Sequence, residues 1–194
     1  MGMTAAILAG GQSRRMGRDK AEIVLAGGET LLQRTVALAA EACDAVLVVG
    51  RSRPADLPED RVTFLTDETP DLGPAGGLLT ALHHARTPVL ALACDMPRLT
   101  IDALRWLRER AEQGGVEYGI VTRNGGQIEP LFAIYTPACL PLLEAQIASG
   151  RRSLQALIQA GRFAVADAPP QMARALANAN TPEELAQILR SVPR

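Results

Sequence analysis

Aromatic residues and histidine are scarce in this chain, and neither sign of charge dominates it. Among 194 residues there are one Trp, two Tyr, three Phe and two His. The two histidines are adjacent in a predicted helix, where their side chains point about 100° apart and do not form a metal pair. The 20 basic and 21 acidic residues leave a formal net charge of -1, so no global field attracts nucleic acid or an anionic membrane. Any anion site must therefore be local.

Cysteine is also scarce, and long apolar runs are missing. Cys43, Cys94 and Cys139 lie far apart and form no Cys-x-x-Cys pair, so we expect buried thiols in a reducing compartment. There is no signal-peptide pattern and no apolar stretch of about 18 residues. Ala6 stands where a myristoylation signal requires Ser or Thr. These features predict a cytoplasmic protein with no membrane partner and no nucleic-acid partner.

Apolar residues make up 47% of the chain, and they fall in short runs that alternate with helical patterns. Continuous apolar runs predict strands that are covered on both faces; these strands are expected at residues 5–9, 45–49, 62–65, 89–93, 118–122 and 131–135. Alternating strands and helices predict a three-layer α/β/α architecture with a mostly parallel central sheet. Since no long linker or internal repeat interrupts the pattern, residues 1–194 are expected to form a single domain.

Capping signals predict where several helices begin. Thr30-Leu-Leu-Gln33 is a capping box for a helix that ends near Ala42, and Thr100 caps another helix. Thr181-Pro-Glu-Glu184 combines a cap, a proline at the first helical position and a reciprocating Glu. Further helices are predicted over residues 76–84, 140–148 and 153–160.

The segment 8–20, Leu-Ala-Gly-Gly-Gln-Ser-Arg-Arg-Met-Gly-Arg-Asp-Lys, follows the first predicted strand. Glycine allows a backbone to approach a ligand closely and to turn its NH groups toward it, and nearby cations can close over phosphates. The segment differs from a Walker loop and from the Gly-x-Gly-x-x-Gly dinucleotide fingerprint. It predicts a nucleoside triphosphate site of another kind; the alternative is a glycine-rich turn with solvated basic residues.

Carboxylates follow two other predicted strands. Asp67 comes after the strand at 62–65, and Asp95 comes after the strand at 89–93. Because ligands of such sheets bind at the carboxyl ends of the strands, both should lie near the first loop. Asp67 is a candidate contact for a base or ribose. Asp95 is a candidate Mg²⁺ ligand, since Mg²⁺ needs few carboxylates and completes its octahedron with water and phosphate oxygens; the alternative is a simple turn before Pro97.

Cations and glycines complete the predicted nucleotide site. Lys20 and Arg15 are expected to neutralise the triphosphate and to stabilise charge on a departing pyrophosphate, whereas the other arginines of the first loop are typical of exposed loop charges. Gly73 and Gly77 allow the backbone to approach a purine or ribose. The alternative for both glycines is the start of a helix at Pro74.

The last third of the chain offers candidates for binding an acceptor. Arg151 and Arg152 lie beside a predicted helix start, where they suit the phosphate of a second substrate. A solvated connecting loop is the alternative. Asn178 and Asn180 precede the final predicted helix and are candidates for polar contacts to a metal-bound phosphate or a cofactor.

Five motifs, in order along almost the whole chain, resemble those of the molybdenum cofactor guanylyltransferases. They are Leu8-Ala-Gly-Gly…Arg15-Met-Gly…Asp19-Lys20, Gly73-Pro-Ala-Gly-Gly77, Cys94-Asp-Met-Pro97, Glu129-Pro-Leu-Phe132 and Asn178-Ala-Asn-Thr-Pro-Glu-Glu-Leu185. That family has a Rossmann-like nucleotidyltransferase fold. Its members transfer GMP from GTP to the terminal phosphate of molybdopterin and release pyrophosphate, in a Mg²⁺-dependent reaction. The resemblance implies the same reaction here, with formation of the molybdopterin guanine dinucleotide cofactor.

The resemblance also implies residue roles. The backbone of the first loop would hold guanine and ribose, Lys20 would bind phosphate, Asp67 the nucleotide, and Asp95 both the nucleotide and Mg²⁺. The backbone positions that the resemblance implies are Leu8, Ala9 and Gly10; Gly11, in the same glycine-rich turn, is a further candidate for binding the nucleotide. Gly50 stands where some members have a polar residue for the nucleotide, so that contact is either missing here or made by the backbone.

Two alternatives accompany this interpretation. The related cytidylyltransferases usually read Leu-Ala-Ala-Gly where this chain reads Leu-Ala-Gly-Gly, which favours GTP over CTP. Because the two loops differ by one residue, a cytidylyltransferase for the same cofactor stays one alternative. The other alternative is a non-catalytic GTP-binding protein that hands on the cofactor. Transient contacts with other molybdenum cofactor proteins are expected from the pathway of the family.

Overall fold

The structure of the protein is a computed structural model that describes residues 2–10, 19–25, 27–54, 61–69, 71–179 and 184. This part of the chain contains a seven-stranded sheet in the order β3-β2-β1-β4-β6-β5-β7. The strands are β1 (Thr4–Leu8), β2 (Ala45–Val49), β3 (Val62–Leu65), β4 (Val89–Leu92), β5 (Gly119–Asn124), β6 (Gln127–Tyr135) and β7 (Ala164–Asp167). The helices are α1 (Leu31–Ala42), α2 (Pro74–His84), α3 (Ile101–Glu112), α4 (Leu140–Ala148), α5 (Leu154–Ala160) and α6 (Pro170–Ala173), with 3-10 turns at Lys20–Glu22 and Pro137–Cys139.

Strands β1 to β4 form the parallel half of the sheet. β1 pairs in parallel with β2 and with β4, and β2 pairs in parallel with β3. Every residue of β1 and β4 is buried, as expected for continuous apolar strands covered on both faces. The carboxyl ends of these four strands therefore meet at one side of the sheet, which we call the carboxyl edge.

Strands β5 to β7 form the second half, and here the sheet departs from a uniform parallel arrangement. β6 runs antiparallel to both β4 and β5, while β7 pairs in parallel with β5. The β5–β6 hairpin turns through Gly125 and Gly126, which both have positive φ. β6 begins at Gln127 rather than at residue 131, and β7 was not predicted. The expectation of a mostly parallel sheet is nevertheless confirmed.

Two apolar cores lie on the two faces of the sheet, which confirms the three-layer architecture. One core packs α1 and α3 against the sheet through Leu32, Val36, Leu104 and Leu107. The other packs α2, α4 and α5 against the opposite face through Leu78, Leu82, Leu143 and Leu157. The three cysteine thiols are free and buried in these cores, as predicted.

The capping predictions can be checked residue by residue. The Thr30 side chain accepts a hydrogen bond from the Gln33 backbone, and the Gln33 side chain accepts one from the Thr30 backbone. At α3 the Thr100 side chain accepts a hydrogen bond from the Ala103 backbone NH, without a reciprocal side-chain bond. The helix predicted from Thr181 lies outside the described residues except for Glu184, which is helical. None of the helices in the described part of the chain has the length and apolar character needed to span a membrane.

Candidate active site

The first loop leaves β1 at the carboxyl edge, where it touches the end of β2. The backbone NH of Ala9 donates to the Val49 carbonyl at 2.9 Å, so the β1–β2 pairing extends one residue beyond Leu8. Gly10 then lies directly against Gly50: a Cβ placed on Gly50, whose φ is +89°, would come within 2.4 Å of the Gly10 Cα. Both positions need glycine because the two backbones are in contact.

Asp67, at the end of β3, faces this pair of glycines. A Cβ on Gly10 would lie 3.1 Å from Asp67 Oδ2, and a Cβ on Gly77 would lie 3.6 Å from Asp67 Oδ1. Asp67 Oδ1 is buried and has no hydrogen-bond partner in the structure, and burial raises the pKa of this carboxyl. A buried acceptor without a donor costs about 1–3 kcal/mol. Asp67 is thus an acceptor available to a hydroxyl or NH group of a ligand, which fits the predicted nucleotide contact.

Lys20 and Asp95 meet at the carboxyl edge. Lys20 Nζ lies 3.5 Å from Asp95 Oδ2, with 20% and 25% of the two side chains exposed. Lys20 opens a 3-10 turn that is capped by Asp19, whose Oδ1 accepts from the Ala21 NH at 3.0 Å. The structure therefore brings together the first loop and the carboxylate after β4, as the sequence predicts.

Lys20 is also the single lysine of the sequence, in which every other basic residue is arginine. The two side chains differ, because an ammonium is a compact point charge on a flexible stem and a guanidinium is a planar fork. A lysine in this one position, against the carboxylate of Asp95, indicates that a compact ammonium group is needed there and not a guanidinium.

Glu129 is a residue of this site that the sequence reasoning placed in a motif without giving it a role. The β4–β6 pairing joins Val89 to Tyr135 and Leu92 to Phe132, and the same register continued past the end of β4 sets Asp95 opposite Glu129. Burial raises the pKa of Glu129, and the nearby charge of Asp95 raises it further. The signal that could have located Glu129 is the direction of β6, because an antiparallel strand starts at the edge where its parallel neighbour ends.

The segment after α6 lines the same region. Asn178 Nδ2 donates to Glu129 Oε2 at 3.5 Å, and the backbone NH of Ala179 donates to the Asp95 carbonyl at 2.8 Å. Asn178 therefore lies beside the two carboxylates, as its predicted role in polar contacts requires.

The residues present fit a magnesium ion that is held chiefly by a nucleotide. Asp95 and Glu129 offer carboxylate oxygens, and Mg²⁺ typically takes one or two carboxylates together with phosphate oxygens and water. In the described ranges there is no group of three His, Cys, Asp or Glu side chains that could hold a metal ion. Asp95, with Glu129 opposite, can thus supply only part of the coordination.

Three further predicted residues, Arg151, Arg152 and Gly73, form hydrogen bonds with residues outside this centre. Arg152 Nη1 donates to the Asp71 carbonyl at 3.0 Å, next to the turn that leads into α2, whereas Arg151 Nε donates to Ser149 Oγ at 3.1 Å. Both arginines are exposed. Gly73 has φ +59° and open space around it, so the start of α2 explains this glycine without a ligand.

Three predicted site residues, Gly11, Arg15 and Asn180, lie outside the described residues, and their roles stay predictions. Cys94, although adjacent to Asp95, is not a nucleophile of this site: burial raises the pKa of its thiol to about 12, so it stays protonated near neutral pH.

The seven-stranded, mostly parallel sheet with helices on both faces defines a class, the Rossmann-like α/β folds. A molybdopterin-guanine dinucleotide biosynthesis protein A from Archaeoglobus fulgidus superposes with a TM-score of 0.80 at 22% identity, over 96% of this chain and 97% of that chain. A 4-diphosphocytidyl-2C-methyl-D-erythritolsynthase from Anaerococcus prevotii superposes with a TM-score of 0.75 at 14% identity, over 100% and 96%. At such identities these likenesses show the fold.

Sequence similarity identifies the family. Residues 5–186 match the model of the MobA-like NTP transferase domain, and the chain belongs to this family. It is 36% identical to a probable molybdenum cofactor guanylyltransferase from Chloroflexus aggregans, over 95% of this chain and 92% of the relative. It is 38% identical to a probable molybdenum cofactor guanylyltransferase from Synechococcus elongatus, over 95% and 96%.

Proposed function

We propose that this protein is a guanylyltransferase of molybdenum cofactor biosynthesis, which transfers GMP from GTP to the terminal phosphate of molybdopterin and releases pyrophosphate. The observation that carries the proposal is the 3.5 Å contact between Lys20 and Asp95, which unites a cation and a carboxylate from separate strand ends beside the first loop. The names of the relatives support GTP and molybdopterin as the substrates. Transient contacts with other molybdenum cofactor proteins and a cytoplasmic location are part of the same proposal.

The reaction needs positioning and charge stabilisation more than it needs a protein nucleophile. The acceptor phosphate is ionised at neutral pH, so no side chain has to remove a proton from it. One of its oxygens forms a bond to the α-phosphorus of GTP while the bond to the bridging oxygen of the β-phosphate breaks, and pyrophosphate departs with that electron pair. The Lys20 ammonium, aided by Arg15, stabilises the charge that develops on the leaving group.

The other residues of the site orient the nucleotide. The backbone from Leu8 to Gly10 lies at the carboxyl edge, where it can approach guanine and ribose, and the unpartnered oxygen of Asp67 accepts a hydrogen bond from the nucleoside. Asp95, with Glu129 opposite, would hold Mg²⁺, which when bound neutralises phosphate oxygens and aligns them for in-line displacement. Asn178, beside the two carboxylates, and Arg152, next to the turn into α2, are the residues that we expect to contact the acceptor.

The decisive experiment replaces Asp95 by Asn and measures pyrophosphate release with GTP, Mg²⁺ and molybdopterin. We expect a rate loss of about 10³-fold, with GTP binding by calorimetry only weakened, because the variant keeps the shape of the side chain and loses its charge. Asp102→Asn, at a carboxylate of α3 that is 84% exposed, is the matched control. A rate near that of the unmodified protein would refute the role of Asp95 in metal binding.

The same assay separates the alternatives. Faster pyrophosphate release from CTP than from GTP would replace the proposal by a cytidylyltransferase. Tight GTP binding without pyrophosphate release, in the presence of molybdopterin, would instead indicate a protein that binds the nucleotide and hands on the cofactor.

A further inference from the structure

We propose that Arg51 is a positioning residue, which fixes the turn that carries Lys20 and so sets where the Lys20 ammonium lies in the reaction. Arg51 Nη2 lies 3.1 Å from Asp19 Oδ2 and 3.1 Å from Glu22 Oε1. Asp19 precedes Lys20 and Glu22 ends the 3-10 turn that Lys20 begins. One guanidinium nitrogen therefore ties the two ends of this turn together.

Arg51 is the fixed partner in this arrangement. Only 14% of its side chain is exposed, against 44% for Asp19 and 71% for Glu22. Its Nε and Nη1 atoms are buried without a hydrogen-bond partner, so the two carboxylates are what offsets the burial of its charge. Removing one member of a buried charge pair is costly because the other charge stays behind unpaired. The turn is thus held to the protein body by Arg51.

The backbone explains why Arg51 reaches the turn. Gly50 has φ +89° and its NH donates to the Leu65 carbonyl at 2.9 Å, so the chain bends sharply at the end of β2. Since Gly50 also touches Gly10, the residue that follows it emerges beside the first loop.

The two oxygens of Asp19 connect Arg51 to Lys20. Oδ2 pairs with Arg51, while Oδ1 accepts from the Ala21 NH at 3.0 Å. Ala21 is 3% exposed and packs in the apolar core of the α1 face, which anchors the turn from below. Arg51, Asp19 and the turn therefore form a continuous support whose end is the ammonium 3.5 Å from Asp95.

The predicted effect of Arg51 on kcat rests on the proposed function. Without Arg51 the turn can shift, and a displacement of about 1 Å at a reacting centre costs about 10²-fold in rate. Because Arg51 acts on the leaving-group cation and has no role in holding the nucleoside, we expect kcat to fall far more than KM for GTP changes.

The kinetic test compares Arg51→Met, Arg51→Lys, Lys20→Met and the double variant Arg51→Met/Lys20→Met. We expect Arg51→Met to lower kcat by about 10²-fold and Arg51→Lys to recover part of the loss, since a lysine can pair with one of the two carboxylates. The double variant should be no slower than Lys20→Met alone, because groups that act as a unit are not additive. Equal losses from Arg51→Met in the presence and absence of Lys20 would overturn the proposal.

A second measurement needs no substrate and so stays decisive if the proposed function fails. Lys20 is the single lysine, so acetylation by an amine-reactive reagent, followed by peptide mass spectrometry, reports on this one side chain. We expect several-fold faster acetylation of Lys20 in Arg51→Met than in the unmodified protein. Arg105→Met is the control, because it removes the exposed ion pair with Glu41 at 2.8 Å. Equal acetylation rates in Arg51→Met and the unmodified protein would show that Arg51 does not hold the turn.

Discussion

The two halves of the sheet bring residues to the carboxyl edge from opposite directions along the chain. In the parallel half, Asp67 and Asp95 come after the strands that deliver them, β3 and β4. In the second half, Glu129 lies near the start of β6, because that strand runs antiparallel to β4. The comparison teaches that a residue belongs to the site because it lies at the carboxyl edge of the sheet, whether it precedes or follows its strand in the sequence. Strand direction decides on which side of a strand its site residue is found in the sequence.

The two halves also differ in where their closest backbone contacts and their ion pairs lie. In the parallel half, the contact between Gly10 and Gly50 and the ion pairs of Arg51 and Lys20 all lie at the candidate site. In the second half a tight backbone contact lies within the sheet itself, at Gly119. We therefore expect substitutions of Arg51 and Lys20 to alter activity, and substitution of Gly119 to alter stability.

Between the two halves, the largest effect on stability is expected for Gly119→Ala. Gly119 has φ +140°, and a Cβ there would lie 2.0 Å from the Ile134 carbonyl oxygen of the neighbouring strand. Backbone strain and overpacking together should lower the free energy of unfolding by about 3 kcal/mol, measured by urea unfolding with the fluorescence of Trp106.

Gly114→Ala is the matched control, since Gly114 has φ +91° and no atom near its Cβ position. It should lose about 1 kcal/mol from backbone strain alone. Equal losses in the two variants would show that the contact with β6 contributes nothing.

A smaller effect, of a different kind, is expected in the parallel half for Lys20→Arg. The variant keeps the positive charge but replaces a compact ammonium by a planar fork, so the rate of pyrophosphate release should fall by about 10²-fold. The free energy of unfolding should change by less than about 0.5 kcal/mol, because Lys20 is partly exposed.

Lys20→Met serves as the comparison for charge. If Lys20→Arg retained full activity while Lys20→Met lost it, charge alone would suffice and the argument from the single lysine would be wrong.

The smallest effect on stability is expected where α2, which packs on the parallel half, contacts α4, which lies beside the second half. His83, on α2, contacts Glu68 Oε2 at 2.7 Å and Glu144 Oε1 at 3.1 Å, and Glu144 lies on α4 beside the second half. These hydrogen bonds raise the pKa of His83 in the folded protein. The stabilisation is therefore fully present below the ordinary histidine pKa and is lost as pH rises through the raised value.

His83→Gln tests this dependence. Because the pairs are exposed, the unmodified protein should exceed the variant by only about 0.5 kcal/mol at pH 6, and this difference should vanish at alkaline pH. Urea unfolding at several pH values measures it, with His84→Gln as the adjacent control. A difference that stayed constant with pH would assign the effect to packing.

The parallel half could be predicted from the sequence because its strands are continuous apolar runs. Strand β1 is buried throughout, and a short apolar run that ends in glycines is typical of a buried strand. The residues at the start of β6 are polar or half-buried, so they carried no comparable signal. The hairpin glycines Gly125 and Gly126 were the available signal for the turn.

The candidate site divides in the same way. Lys20, Asp67 and Asp95 could be predicted because each follows a recognisable strand. Arg51 was not predicted, and Glu129 was recognised only as part of a motif, since the roles of both depend on which loops and strands come to lie beside them. Arg51 pairs with Asp19 and Glu22 only because the end of β2 lies against the first loop. No local sequence pattern predicts this tertiary contact.

The hydrogen bond from the Ala179 NH to the Asp95 carbonyl has a consequence for biosynthesis. Most of the sheet can assemble while the chain is still being translated, but the wall beside Asp95 is built from a segment that leaves the ribosome late. The backbone support of Asp95 is therefore completed only after residues 178 and 179 have emerged and docked.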